Sequence, residues 1–269
     1  MIWVVNKVLF QCLLILLPAI VSIFYPIQEI AYGILSLIGI DATNFDEMIK
    51  NIINNERVIS IIGGVVLSIV IYIWRTKANK DKLFNTGNKY NEYPIWVYWM
   101  ASKILGYGKV SLVRVPMYLQ YKLLLKDIFP EVIVDSDVEE KAQSINVIER
   151  NMDYPSNELN LILVDTYEIT DSQIPTNKAH LPTIFIKSGN EIDSNRSLNP
   201  EYIKEIRRRT NVYHKIYKKL NVFCTTNTNH NQLIINKCFK NGSRTGFENI
   251  VVYQASRSNY KFNRGHKVL

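Results

Sequence analysis

Cysteine is scarce: Cys12, Cys224 and Cys238 are the only three in 269 residues. The count is odd and no two lie at metal-ligand spacing, which excludes a disulfide framework and a cysteine-built zinc site. They read as small apolar residues of a chain held in a reducing compartment. Histidine is equally thin, with His180, His214, His230 and His266 scattered and without obvious partners. There is no GxSxG, no HExxH, no HxE followed by a cysteine pair and no Walker loop. These absences lead us to expect no enzyme, no metal and no cofactor. Acidic residues also run short towards the end: residues 196–269 hold fifteen Lys and Arg against Glu201, Glu205 and Glu248.

What the sequence does contain is two long apolar runs near its start. Val58 to Trp74 is uncharged over seventeen residues and is followed by Arg75, Lys77, Lys80 and Lys82. About seventeen to twenty apolar residues span a bilayer, and Tyr72 and Trp74 sit where aromatic rings settle among headgroups. Val8 to Tyr25 is the other run, with Pro18 inside it as a kink site. The loop between them carries Glu29, Asp41, Asp46, Glu47 and Glu56 against Lys50 and Arg57, whereas cations dominate after the second run. The positive-inside rule then places both termini in the cytoplasm and the loop outside, in a cell inner membrane. Ile30 to Ile40 is apolar but too short to span, so it dips into the interface or extends the first helix. Ser60, Gly64 and Ser68 share one helical face, small enough to admit a second helix closely; self-association into a homo-oligomer is one reading and a plain anchor the other.

The fold class expected is a membrane protein, with a two-helix transmembrane hairpin (residues 1–76) and a cytoplasmic α/β, Rossmann-like domain (156–269). Residues 77–155 join them as a linker and membrane-proximal region. There, Asn85, Thr86, Gly87 and Asn88 form turns, and Tyr93 to Tyr107 either lies on the membrane surface or begins the soluble core. Val110 to Phe129 alternates apolar with basic residues, and Glu131 to Glu140 carries five carboxylates. Strands are expected at 159–165, 183–188, 221–227 and 249–256. Helices are expected at 197–220, with Asn199 as cap and Pro200 in the first turn, and at 231–241, stopped by Gly242. Such alternation argues a largely parallel sheet covered on both faces.

Two constellations carry candidate chemistry. Arg207, Arg208, Arg209, Lys215, Lys218 and Lys219 crowd the first helix, and the tail adds Arg257, Lys261, Arg264 and Lys267 among Tyr260 and Phe262. Cations that track phosphates beside stacking rings fit nucleic acid or a nucleotide; an anionic lipid surface or a solvated helix face fits the same residues. The polar turn Thr225, Thr226, Asn227, Thr228, Asn229, His230 lies between a strand and a helix, where free amides at a strand's carboxyl end favour anions, or where an ordinary capped turn sits. Asp165 and Glu168 also follow a strand, as structural carboxylates or as groups for ribosyl or phosphoryl chemistry.

With two N-terminal spans joined to a small basic cytoplasmic sensor, the plan resembles the two-transmembrane effectors of bacterial anti-phage systems, above all the membrane effector of retrons. The hairpin from Val8 to Trp74 and the basic region from Arg196 onward carry that resemblance. It implies abortive infection: an effector that damages or depolarises the membrane once a reverse transcriptase with its RNA–DNA hybrid releases it. The alternative is a membrane effector gated by a cyclic-oligonucleotide second messenger, of the CBASS or type III CRISPR kind, with Thr225 to His230 as the ligand loop. A membrane-tethered enzyme or assembly factor is a third class.

Overall fold

The computed structural model describes residues 2–24, 56–86, 89–134, 139–189, 197–240, 246–256 and 258–269. The Ile30–Ile40 segment, most of the acidic loop, Gly87, Asn88, Asp135, Asp137, Arg196, Gly242 and Arg257 lie outside them. The chain divides into two compact units, Met1–Lys82 with Trp96–Gly108, and Leu83–Ile95 with Lys109–Leu269.

In the first unit, α1 (Ile2–Phe24) and α2 (Glu56–Asn79) pack along their length. Two stretches, Val4–Phe24 and Ser60–Asn79, are long and apolar enough to cross a membrane. Pro18 has no N–H to give its own helix, and the next amide, Ala19 N–H, donates to Ser68 Oγ on α2 at 3.1 Å. Gly64 is the closest point, since a Cβ there would stand 2.2 Å from Ser22 Oγ and 2.7 Å from the Pro18 carbonyl. Within the hairpin, then, Gly64 and Ser68 of the small-residue face pack against α1 of the same chain. Arg75 lies over the Trp74 ring at 5.9 Å, where the span ends.

α3 (Ile95–Trp99) runs on into a π turn, Met100–Ile104. Val97, Tyr98, Ala101 and Leu105 are buried, while Trp96 and Trp99 are about half exposed. The segment is fastened to α2 by Asn79 Nδ2, which donates to the Leu105 carbonyl at 2.8 Å. Gly106 has φ +74° and passes so near Thr76 that a Cβ would lie 2.6 Å from its Cα.

The second unit is built on a six-stranded sheet. Its parallel centre comprises β4 (Glu158–Val164), β5 (Thr183–Ser188), β6 (Lys219–Cys224) and β7 (Asn249–Gln254). β3 (Ile145–Arg150) and β8 (Arg264–Lys267) pair antiparallel at the edges, giving the order β3-β5-β4-β6-β7-β8. A separate parallel pair joins β1 (Lys109–Ser111) to β2 (Glu131–Ile133). The sheet therefore begins before residue 156, within the stretch expected to be linker. β3 escapes a reading by alternation because polar residues fall on both faces: Asn146 and Arg150 on one, Glu149 on the other.

One sheet face is covered by helices: α4 (Met117–Leu125), α6 (Pro200–Tyr213) and α7 (Thr228–Ile234), the last continued by a π turn, Ile235–Phe239. The other face is covered mainly by loop segments, against the expectation of helices on both faces. Ile162, Val164 and Phe223 pack there against Ile169, Ile174 and Phe262, from the crossover after β4 and from the C-terminal segment. That crossover holds only a 3-10 turn, Asp171–Gln173, and the short α5 (Thr176–Ala179). α6 ends seven residues earlier than expected. Lys218 and Lys219 amides turn to the Asn157 carbonyl, and Lys219 opens β6 instead of ending a helix.

At the amino ends of β4 and β6, Glu158 accepts from Lys178 at 2.5 Å, Lys219 at 2.8 Å and Asn221 at 3.0 Å. Burial opposes its ionisation, but these three hydrogen bonds prevail and lower its carboxyl from 4.5 to about 2. A carboxyl depressed on folding stabilises the fold above its unfolded value and ceases to do so as pH falls through the folded one. The sheet should therefore lose stability between pH 4.5 and about 2, on the order of 1 kcal/mol from this group after allowance for solvent screening. Glu158→Gln should flatten that part of the acid-unfolding curve followed by circular dichroism; an unchanged curve would contradict the assignment.

Candidate functional site

The strand order places a switch point in the second unit. From β4 the chain moves to β5 on one side, then crosses back to β6 on the other. In open parallel sheets ligands bind beyond the carboxyl ends of the strands at such a point. Here the residues just past β4 and β6 are Asp165 and the turn from Thr225 to His230.

They form one hydrogen-bonded unit. Asp165 Oδ2 accepts from the Asn227 backbone N–H at 3.0 Å, Asn227 Nδ2 at 3.0 Å and His230 Nδ1 at 2.7 Å. The Asn227 side-chain oxygen caps α7 by accepting from His230 N–H at 2.8 Å. On the far side of the imidazole, Nε2 accepts from the Asn199 backbone N–H at 2.9 Å, so Nε2 carries the lone pair and Nδ1 the hydrogen. Asn199 also donates to Ser188 Oγ at 3.0 Å, which ties in the end of β5. His230 is fully buried with both ring nitrogens engaged, so it positions the loop and is not placed to move a proton for a ligand. Thr225 Oγ1 donates to the Tyr167 carbonyl at 2.7 Å and joins the two loops.

Of the two readings of the turn at the start of α7, the geometry is that of the capped turn and not of the anion cradle. The Asn227 amide faces a carboxylate and the His230 amide its own cap, so neither is free for a phosphate. Thr225, Thr226 and Asn227 spend their hydroxyl and amide groups within the loop, and Asp165 Oδ1 receives no hydrogen bond among the described residues. Glu168, the other carboxylate singled out, is ion-paired with Lys187.

A buried polar chain leads away from this loop. Thr226 Oγ1 donates to Asn231 Oδ1, Asn231 Nδ2 donates to Gln120 Oε1 at 2.9 Å, and Gln120 Nε2 donates to the Val115 carbonyl at 2.8 Å. It links the loop to α4 and to the turn after β1. Sequence reasoning missed Asn231 and Gln120, and named Asn199 only as a cap. The signal for Gln120 was a polar residue on an apolar helix face, in MYLQYKLLL.

The basic candidates are not gathered into one surface. Arg208 and Arg209 pair with Glu205 at 2.6 and 2.7 Å, and Arg209 also with Glu149 on β3. Lys218 pairs with Glu248 at 3.1 Å and Lys219 with Glu158. The Glu205 carboxyl falls to about 2, first through its hydrogen bond from Arg208, against burial, and then that from Arg209. Arg207, Lys215 and Lys261 are exposed. Arg264 and Lys267 lie on β8, at the edge opposite β3. Cys224 and Cys238 are buried, and burial pushes both thiols up to about 12, which leaves them unreactive. No cluster of three or more metal-ligating side chains occurs among the described residues.

Compared with known families, residues 1–269 match the one described as the SMODS- and Ubiquitin system-associated 2TM effector domain. The chain belongs to this SUa-2TM family. It is a two-transmembrane effector of defence systems, and the two apolar helices of its first unit fit that description. No curated protein matches it. Among solved structures it is similar to the Cap4 SAVED/CARF-domain containing receptor of Acinetobacter baumannii with the cyclic trinucleotide 3'3'3'-cAAA, at 13% identity and TM-score 0.45. The same receptor with 2'3'3'-cAAA gives 15% and 0.44, and that of Moraxella osloensis 14% and 0.38. The first alignment covers 65% of this SUa-2TM chain and 42% of the receptor; the other two cover 60% and 38%, and 64% and 39%. Likeness at this level transfers neither a site nor a ligand.

Proposed function

We propose that this SUa-2TM protein is a membrane effector of anti-phage defence whose second unit senses a cyclic oligonucleotide and whose hairpin permeabilises the inner membrane, with both termini cytoplasmic. The observation that carries the reading is the Asp165–Asn227–His230 cluster at the switch point of a chain that belongs, over its whole length, to a two-transmembrane effector family. A chain of net charge +8 favours an anionic ligand. Signal relay and membrane damage need no bond-making step, in keeping with a non-enzymatic effector.

The retron reading, with a reverse transcriptase and its RNA–DNA hybrid as partner, draws on the basic region. Salt-steep binding of that kind asks for cations free to meet phosphates, and four of the six on and after α6 are already ion-paired. The two readings separate on two variants of the full-length protein in detergent, titrated with a panel of cyclic di- and trinucleotides. Asn227→Ala should weaken nucleotide binding at least about tenfold, because it loosens the loop that lines the crevice. Arg207, Arg208 and Arg209 changed together to glutamate should weaken it only about threefold or less. The opposite order, or binding only to nucleic acid, would favour the retron reading.

A further inference from the structure

We propose that the seam between α1 and α2 is the water path of the effector: closed at rest, its polar residues become the lining of a conduit when the helices part. The inference rests on the membrane-permeabilising reading above and says which surface does the work.

The hairpin is polar inside and apolar outside. Gln11, Ser22, Ser60 and Ser68 are between 1% and 9% exposed, beside Val8 and Ile15. Phe10, Leu13, Leu16, Ile62, Val66 and Val70, on the outward faces, are all half exposed or more. In lipid, small residues let two helices approach closely and serine side chains hydrogen-bond at the contact, so the three serines fit packing by themselves. Small residues alone would read as close packing. Gln11 is an independent observation: its side-chain carbonyl Oε1 is fully buried and meets no hydrogen-bond donor among the described residues. A polar atom without a partner is costly within the bilayer, and water that reached it would remove that cost. Water entering an opened seam would satisfy Oε1 and solvate the three serine hydroxyls, while the outward residues keep their lipid contacts. The closed seam is dry by close approach: Gly64 against Ser22, and Ala19 N–H on Ser68 Oγ.

The test uses the full-length chain in vesicles of phosphatidylethanolamine and phosphatidylglycerol loaded with carboxyfluorescein. Cys12 is replaced by serine, so that no native thiol lies in the spans. Gly64→Leu drives side-chain atoms into Ser22 and the Pro18 backbone and forces the helices apart. It should leak dye at least about tenfold faster than wild type with no nucleotide present. In that background, Ser68→Cys should react with a membrane-impermeant thiol reagent and the leak should fall, whereas Val66→Cys on the outward face should do neither. Should Gly64→Leu insert poorly, Gln11→Leu serves instead: leucine inserts readily, yet nucleotide-triggered leak should drop about fivefold or more. A Gly64→Leu protein that inserts and stays sealed would overturn the inference, as would block through Val66→Cys or an undiminished leak with Gln11→Leu. If wild type still leaks on nucleotide in those cases, the proposed function survives without it. Vesicles sealed under every condition would overturn both.

Discussion

Asp165→Ala should destabilise the parallel sheet by about 3 kcal/mol and abolish ligand binding. The substitution strips a carboxylate that receives three hydrogen bonds and leaves the Asn227 backbone and side-chain N–H groups, together with His230 Nδ1, facing an empty volume. Removing one member of a buried charged network costs more than the network is worth, because the remaining donors stay desolvated. Loss should spread along the imidazole to Asn199 and the start of α6. Hydrogen exchange on the full-length protein in detergent measures this locally, which matters because a two-unit chain has no single unfolding free energy. Protection should fall roughly a hundredfold in the β4 and β6 peptides and leave α1 and α2 unchanged. Protection unchanged at β4 and β6 would show that the crevice network is not what holds the strand ends together.

Phe223→Ala carries a comparable effect by another route. The ring is fully buried at the centre of the non-helical face, stacked on Tyr253 at 4.5 Å and edge-on to Phe262 at 5.6 Å. Deleting a buried phenylalanine costs about 3–5 kcal/mol, part of it for the cavity left behind. Phe262 is held in place by this contact and by its N–H on the Gln173 carbonyl, so the C-terminal segment should loosen first. Limited proteolysis should cut after Lys261 or Arg264 many times faster in the variant. Equal cutting rates would mean that the tail is held by β8 pairing alone.

The parts legible in the sequence are those where a local pattern and its tertiary use coincide. The two apolar helices, β4 to β7 and the helix opened by Pro200 announce themselves by period or composition, although the Asn199 side chain turns to Gln143 and Ser188 and does not cap that helix. Asp165 and the Thr225–His230 turn could be placed at strand ends, but nothing in the spacing of sixty-odd residues says that His230 reaches Asp165. That contact exists only because β4 and β6 are neighbours. The same holds for charge. Glu149 and Glu205 look sparse beside the arginines of α6, yet β3 brings Glu149 across the edge of the sheet to Arg209. The face of Ser60, Gly64 and Ser68 was correctly seen as small, but whether the facing helix comes from the same chain is decided by Ser22 and Pro18, forty or more residues away.

The most direct measurement of the central claim is nucleotide-triggered dye release from vesicles carrying the wild-type protein at physiological salt. A cyclic oligonucleotide that binds the wild type should start release, and it should bind Asp165→Ala too weakly to do so. Vesicles that remain sealed while the nucleotide is demonstrably bound, or that leak equally without it, would contradict the account.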